Sequence, residues 1–192
     1  MPRKKEYQVD EVLHKAMHTF WNHGYENASV RVLEKDMGIN QFSIYASFGN
    51  KRDLFIEVLK KYKQHVETTF LKDLLQSQGS ISDIKRFFLR FGYAIQSGEN
   101  SNGCLMVNTG MEIGQKDPEI AQQLATYFGF IKDTFFHCLE KAKLKGVLQP
   151  NFDSDSHAEF LLGSLQGMSL YAKFRSKSEI RAYVATILKT LD

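Results

Sequence analysis

Apolar side chains recur every three or four residues along most of the chain, which is the spacing of amphipathic helices. The first such stripe runs from Val9 to Phe20 and ends before Gly24, a residue type that commonly ends helices. Strand-like alternation is lacking, and only three prolines interrupt the sequence. The pattern therefore predicts an all-α protein whose first helix covers about residues 9–23.

Two short helices are expected next. Ser29 can cap a second helix that ends at Gly38, and Asn40 can cap a third that stops at Gly49. Asn50 can then cap the following helix. Two short helices separated by a tight turn form a helix-turn-helix.

A larger helical body is predicted beyond this unit. An apolar pattern starts after Asn50 and continues towards Gly79. We expect a helix-turn-helix domain over residues 1–50 and a larger helical domain, the body, over residues 51–192. Further helix starts are expected at Ser80 with Asp83 as a capping box, at Asp117-Pro118, and near residues 154 and 178, with a loop over residues 98–103.

The charge distribution changes this picture modestly. The formal net charge is +3, and residues 1–65 hold 11 Lys and Arg against 8 Asp and Glu, whereas residues 66–192 hold 14 of each. A positive end on a neutral body suits a polyanion such as DNA, although an ordinary solvated surface would give the same count.

Three runs between Leu13 and Phe55 carry a family resemblance. They are LHKAMHTFWNHGYENASV, VLEKDMGIN and SIYASFGNKRDLF, the last with a Tyr-x-x-Phe-x-x-Lys pattern followed by Leu. Together they resemble the DNA-binding domain of the TetR family of bacterial transcriptional regulators. A later run, GCLMVNTGMEI, is similar to a Gly-Cys-Leu segment in several branches of that family.

The short third helix is predicted to enter the DNA major groove. Ile44 and Phe48 are expected to point inwards, while Gln41, Phe42 and Ser43 face out. Gln41 can bond adenine, and Phe42 can meet a thymine methyl group. Residues Gln41 and Phe42 stand where the family usually has small or polar side chains, so the bases that they read are not implied by the resemblance.

Residues that flank the third helix are expected to contact phosphates. Tyr45 and Lys51 lie at its exit, and Ser29 and Arg31 start the second helix. Tyr45 could instead brace Leu33 as a half-buried aromatic. The predicted DNA-binding residues are Ser29, Arg31, Asn40, Gln41, Phe42, Ser43, Tyr45 and Lys51.

Two further features have both a functional and a structural interpretation. The start PRKKEY can be a basic arm that reaches DNA or an unstructured tail. His14 and His18 stand one helical turn apart, a spacing that can bind a metal, but no further ligands follow nearby. We therefore expect no metal and no cofactor.

The family resemblance implies a repressor that a small-molecule effector releases from DNA. Apolar walls and a few polar groups in the body can form the effector pocket, although the same residues are candidates for ordinary packing. The predicted pocket residues are Phe87, Phe91, Cys104, Met106, Asn108, Met111, Glu112, Phe128, Phe135 and Gln166.

Cys104 has a second interpretation. Some regulators that share the Gly-Cys-Leu segment respond to oxidants or electrophiles, so the resemblance leaves open a thiol-based sensor at Cys104. No basic residue that could activate the thiol stands nearby in the sequence, which favours a buried, inert thiol. Cys104 and Cys138 are the only cysteines and show no CxxC spacing.

The last two helices are expected to form a homodimer. The run FLLGSLQGMSL is apolar nearly all round, and Gly163 and Gly167 would let two helices approach closely, unless they pack within one subunit. A two-fold dimer would present two helix-turn-helix domains (the heads, residues 1–50 of each subunit) to a palindromic operator. The predicted interface residues are Phe160, Gly163, Leu165, Gly167, Ile180, Tyr183, Val184, Ile187 and Leu191.

Other classes of protein are disfavoured. GxSxG, HExxH, Walker and GxGxxG motifs do not occur, so we expect no enzyme. No run of about 18 apolar residues occurs, which predicts a cytoplasmic protein without a membrane span. A helical ligand carrier or adaptor that binds no DNA is the remaining alternative.

Overall fold

The computed structural model describes residues 7–97 and 102–191, and within these ranges the chain is helical with no strand. The all-α prediction is thereby confirmed. The helices are α1 (Val9–Asn27), α2 (Val30–Met37), α3 (Gln41–Phe48), α4 (Lys51–Thr69), α5 (Lys72–Leu75), α6 (Ile81–Ser97), α7 (Leu105–Glu112), α8 (Pro118–Leu144), α9 (Ser154–Tyr171) and α10 (Lys177–Lys189).

The caps predicted for the helix-turn-helix are present. Ser29, Asn40 and Asn50 each accept a backbone N–H from the residue three positions further on. Gly38 has a φ of 74°, a left-handed conformation that suits glycine, and it turns the chain between α2 and α3. Local chemistry therefore explains why α2 and α3 are both only eight residues long.

Helices α1 to α4 enclose the core of the head. Phe20, Leu33, Ile44 and Phe55 are buried there, and the rings of Phe20 and Phe55 lie 4.7 Å apart. Ile44 points inwards as expected, and Phe48 is half-buried against the same core. Because α4 supplies Phe55, it belongs to the core of the head as well as to the body, and the predicted domain boundary at residues 50 and 51 stays a prediction.

Helix α4 ends earlier than its apolar pattern predicts. The carbonyl of Val66 accepts the N–H groups of both Phe70 and Leu71, which widens the last turn. The hydroxyls of Thr68 and Thr69 also bond to carbonyls one turn back, a pattern that competes with a regular helix. The chain then forms α5 before α6 begins.

The body packs α8 against α9, and α6 against α8 and α10. Phe88 and Phe135 are fully buried between α6 and α8, with ring centroids 5.7 Å apart. Asp117 caps α8 with Pro118 in its first turn, as predicted. The predicted loop at residues 98–103 lies largely outside the described residues. Across the part of the chain that is described, no helix combines the length and apolar character needed to cross a membrane.

Candidate DNA-binding surface and effector cavity

The outer face of α3 carries an unusual exposed aromatic. Phe42 is 81% exposed, and together with Gln41, Tyr45 and Ala46 it lines a shallow depression. An exposed large apolar side chain of this kind is typical of a binding surface. The structure thus brings three of the predicted DNA-binding residues onto one face, with Ala46 beside them.

Lys51 is oriented at the start of α4. Its Nζ donates a hydrogen bond to the carbonyl of Glu26 at 3.2 Å and lies 4.7 Å from the centre of the Tyr25 ring. An ammonium group has three N–H donors, so this bond leaves others for a phosphate. Tyr45 is half-buried against the head core, and both its predicted phosphate contact and the alternative of bracing Leu33 stay predictions.

The remaining predicted contacts lie at helix starts. Ser29 and Asn40 use their side-chain oxygens as caps, and Arg31 is exposed on α2. The N–H of Gln41 donates to the Glu34 carboxylate. These arrangements give each residue a defined structural place, and their contacts with DNA stay predictions.

Tyr7 ends the PRKKEY segment, and its contact with α3 was not indicated by the sequence. Its hydroxyl donates to the carbonyl of Ser43 at 3.1 Å and lies 2.6 Å from the hydroxyl of Ser47. The segment before α1 is therefore attached to α3. The rest of the predicted basic arm PRKKEY, residues 2–6, lies outside the described residues.

The head and body are joined by an ionic cluster. Arg52 of α4 donates to both carboxylate oxygens of Asp117, at 2.5 and 2.8 Å, and lies 2.9 Å from Glu119. Hydrogen bonding to Arg52 lowers the pKa of Asp117 to about 2, and hydrogen bonds to Asp117 and Glu119 raise the pKa of Arg52. The start of α4 is thereby attached to the start of α8.

This cluster predicts an acid-sensitive contribution to stability. The pKa of Asp117 is lowered from 3.8 to about 2 in the folded protein, so the unfolded state binds the proton more readily. The stabilising contribution is present above the unfolded pKa and is lost as the pH falls towards about 2. We expect Asp117→Asn, which can still cap α8, to lose less stability than wild type between about pH 5 and pH 2.5. Equal declines in the free energy of unfolding of both proteins would contradict this assignment.

An apolar cavity of about 30 Å³ lies among α4, α6, α8 and α9. Three residues predicted for the effector pocket line this cavity: Phe87, Phe91 and Cys104. Tyr62 and Tyr127 also line it, although they were not among the predicted pocket residues. Burial raises the pKa of both tyrosines, and the neighbouring Cys104 adds to the rise. Both phenols are therefore neutral, and no charged side chain is among the described residues that line the cavity.

Cys104 is buried, with its Sγ atom 3.8 Å from the hydroxyl of Tyr127. A reagent would have to enter the cavity to reach this thiol. Cys138 is also buried and donates to the carbonyl of Leu74, and burial raises its pKa.

Several predicted pocket residues lie elsewhere. Met106 and Phe135 belong to the tightly packed core, and Phe128 packs beside Tyr127. Gln166 is half-buried on α9 and does not line the cavity. Helical periodicity identifies buried faces but cannot separate a cavity wall from solid packing, which explains these misplacements.

Three others lie in a separate cleft between head and body. Asn108, Met111 and Glu112 line this cleft, and Met111 is 70% exposed. The carboxylate of Glu112 accepts the N–H groups of Tyr25 and Glu26 at 2.8 and 2.9 Å. The placement of Glu112 in the effector cavity is thus corrected: it holds the end of α1.

The predicted dimer residues divide into two groups. Phe160 is 45% exposed, and a Cβ atom at Gly163 would meet nothing within 4 Å among the described residues, so both face outwards. Gly167 packs against the hydroxyl of Tyr183, which is half-buried in the same subunit. Buried within the subunit, contrary to the prediction of a surface role, are Leu165, Ile180, Val184, Ile187 and Leu191.

His14 and His18 contact each other on the exposed face of α1. Their Nε2 atoms are 3.2 Å apart, and partial burial together with His14 lowers the pKa of His18. A hydrogen bond from a ring N–H of one histidine to a ring nitrogen of the other explains this distance without a metal. Within the described ranges no group of three or more potential ligands is positioned to hold a metal ion.

The short α3, presented on a helix-turn-helix with Phe42 exposed and Lys51 at its exit, defines a DNA-binding protein. Residues 12–58 match the family model described as bacterial regulatory proteins, tetR family. Residues 81–188 match the tetracyclin repressor-like C-terminal domain. The chain belongs to the TetR family of bacterial transcriptional regulators.

Full-length relatives agree with this assignment. The HTH-type transcriptional regulator YezE of Bacillus subtilis (strain 168) is 30% identical over 195 residues, which is 100% of both chains. The HTH-type transcriptional repressor ComR of Escherichia coli (strain K12) is 30% identical over 172 residues, covering 89% of this chain and 82% of the relative. A cysteine mutant of the TetR-family regulator CifR, complexed with 26-bp operator DNA, has a TM-score of 0.86 at 27% identity, covering 97% of this chain and 98% of that chain.

Proposed function

We propose that this DNA-binding transcriptional regulator is a homodimeric repressor that occupies a palindromic operator in the cytoplasm and is released by a small molecule. The observation that carries the proposal is the exposed face of α3 around Phe42, followed along the chain by the oriented cation of Lys51 at the start of α4. ComR is named as a repressor, and CifR is bound to operator DNA, which supports a repressor of the same kind. A regulator differs from a helical carrier because it must bind double-stranded DNA.

Contacts with DNA are divided between bases and phosphates. Gln41 and Phe42 occupy the N-terminal turn of α3, where side chains of a recognition helix reach base edges. Phosphate contacts orient the head but carry no sequence information. They suit Ser29 and Arg31 at the start of α2, Tyr45 on α3 and Lys51 at the start of α4. Asn40 and Ser43 shape the start of α3.

Removal of a phosphate contact should flatten the salt dependence of DNA binding. For Lys51→Ala we expect the slope of log K against log salt to fall by roughly 0.9 for each phosphate that is no longer neutralised, and weaker binding to all sequences alike. Tyr45→Phe should weaken binding to all sequences with little change of slope, because a neutral hydroxyl that contacts a phosphate neutralises no charge. Titrations of labelled duplex DNA by fluorescence anisotropy at several salt concentrations measure both slopes.

Lys145→Ala is the matched control for this experiment. Lys145 follows α8, about 40 Å along that helix from the Arg52–Asp117 junction, and loses the same charge. Its slope should equal that of wild type. A Lys51→Ala protein with the wild-type slope and affinity would remove Lys51 from the DNA contacts.

The cavity supports release by a ligand that shifts a conformational equilibrium. A volume of about 30 Å³ holds one or two water molecules, so a larger ligand must displace side chains of the wall. Helix α4 supplies Tyr62 and Val66 to that wall and Arg52 to the junction with α8. A ligand that expands the cavity therefore acts on the helix that carries Lys51, and it releases DNA only if it favours the non-binding state.

Thiol sensing through Cys104 is a second candidate because the thiol lines the cavity. Cys104→Ser separates the two mechanisms with little change in shape. We expect oxidants and quinones to have the same effect on operator binding by wild type and by Cys104→Ser. The reason is that the thiol is buried and no cation is among the described residues that line its cavity. Release of wild type but not of Cys104→Ser would instead establish the thiol sensor.

The outer face of α9 is the proposed dimer surface. Phe160 and Gly163 are exposed on it, and a small residue allows the equivalent helix of a second subunit to approach closely. The buried residues of α10 support this face from within the subunit. A two-fold axis through the surface would place two heads on a palindrome.

A further inference from the structure

The carboxylate of Glu112, at the end of α7, occupies a break in α1. Gly24 has non-helical backbone angles, and the helical turn after it starts anew at Tyr25. The first N–H groups of a helix have no partners within it, and a carboxylate is favoured there. Glu112 accepts two of these groups, from Tyr25 and Glu26. We infer that Glu112 is a positioning residue for DNA binding, acting through Lys51.

The approach of Glu112 to the break is close. Gly24 has a φ of 78°, and a Cβ atom there would lie 2.9 Å from Oε2 of Glu112. Glycine at this position therefore satisfies both the left-handed backbone and the carboxylate beside it. The arrangement depends on this pair of residues rather than on general packing.

The turn that Glu112 holds is the turn that orients Lys51. Glu26 offers its N–H to Glu112 and its carbonyl to Nζ of Lys51, and Tyr25 offers its N–H to Glu112 and its ring to the same ammonium group. Both residues thus contact both side chains. Loss of the carboxylate frees the turn, and the cation of Lys51 loses its fixed position.

Helix α7 also connects this turn to the cavity. At its other end, Cys104 lines the cavity, and the preceding carbonyl of Gly103 accepts the indole N–H of Trp21 at 3.1 Å. Helix α7 is therefore attached to α1 at both ends. Glu112 is placed to pass a displacement of the cavity wall to the residue that we propose contacts DNA.

Glu112→Gln tests this role, because the loss of charge and the loss of positioning should change the affinity for DNA in opposite directions. Loss of a negative charge from the protein would by itself favour binding to DNA. The positioning role predicts the reverse, about a tenfold rise in the Kd for an operator fragment selected from random duplex DNA, the order expected when charge-assisted hydrogen bonds are removed. Glu140→Gln removes the same charge near the end of α8, where Glu140 forms an ion pair with Lys143, and should not weaken binding.

A double-mutant cycle with Lys51→Ala completes the test, since the inference rests on the proposed phosphate contact of Lys51. Glu112→Gln should add little loss of affinity in the Lys51→Ala protein. An additive loss, or no loss in the wild-type background, overturns the inference while leaving the Lys51 contact intact. If Lys51→Ala binds the operator as wild type does, both the proposed Lys51 contact and the positioning role of Glu112 are wrong.

Hydrogen exchange gives a reading that does not depend on DNA. In Glu112→Gln we expect faster exchange of the Tyr25 and Glu26 amides and unchanged exchange in the core of α8. Unchanged protection of both amides would show that Glu112 does not hold the turn, and would contradict the inference even if DNA binding changed.

Discussion

The Phe42→Asp protein is expected to lose operator affinity by at least about a hundredfold while unfolding at the wild-type temperature. Phe42 is 81% exposed, so its replacement removes little packing within the subunit. An aspartate there would lack the apolar contact with a base, worth about 1–3 kcal/mol for each half-site, and would place a negative charge near phosphates. Fluorescence anisotropy and thermal circular dichroism measure the two quantities.

Leu144→Asp provides the comparison. Leu144 is 85% exposed at the end of α8, so it undergoes the same kind of change far from α3. Operator affinity should stay within about twofold of wild type. Wild-type affinity in Phe42→Asp, or an equal loss in both variants, would contradict the placement of α3 on DNA.

Gly163→Arg is expected to give folded monomers that bind the operator at least about a hundredfold more weakly, because two linked heads gain affinity by avidity. The new side chain meets nothing within 4 Å among the described residues of its own subunit, so it should not unfold the protein. It would obstruct the close approach of α9 to its counterpart. Sedimentation at micromolar concentration measures the mass.

Gly129→Arg is a matched control on α8. Gly129 is exposed and likewise has nothing within 4 Å of a Cβ atom among the described residues. This variant should sediment as a dimer and bind the operator normally. A monomeric wild-type protein, or a dimeric Gly163→Arg protein, would exclude the outer face of α9 as the interface.

The head could be predicted from the sequence because its signals are local. Ser29, Asn40 and Asn50 each cap the helix that follows through a bond within three residues, and Gly38 ends α2. Such interactions depend on neighbouring residues and not on the tertiary fold. The exposed Phe42 is also a local matter, since it faces away from the buried Ile44 on a short helix.

The body could be predicted only in outline because its functional surfaces depend on packing. Apolar stripes of α9 and α10 indicated buried faces but not whether a second subunit or the same one covers them. Most of the predicted interface residues of α10 are covered within the subunit. Glu112 was misplaced for a related reason, since its partners at Tyr25 and Glu26 are more than 80 positions away in sequence.

Selection from random double-stranded DNA tests most directly the claim that α3 reads an operator. The wild-type protein should enrich a palindrome whose half-sites are about one helical turn, roughly 34–36 Å, apart or a small multiple of it. Gln41→Ala should enrich the same palindrome with relaxed preference at one position in each half-site, and Phe42→Asp should enrich none. Enrichment of no sequence by the wild-type protein, or of one unchanged consensus by all three proteins, would contradict the account.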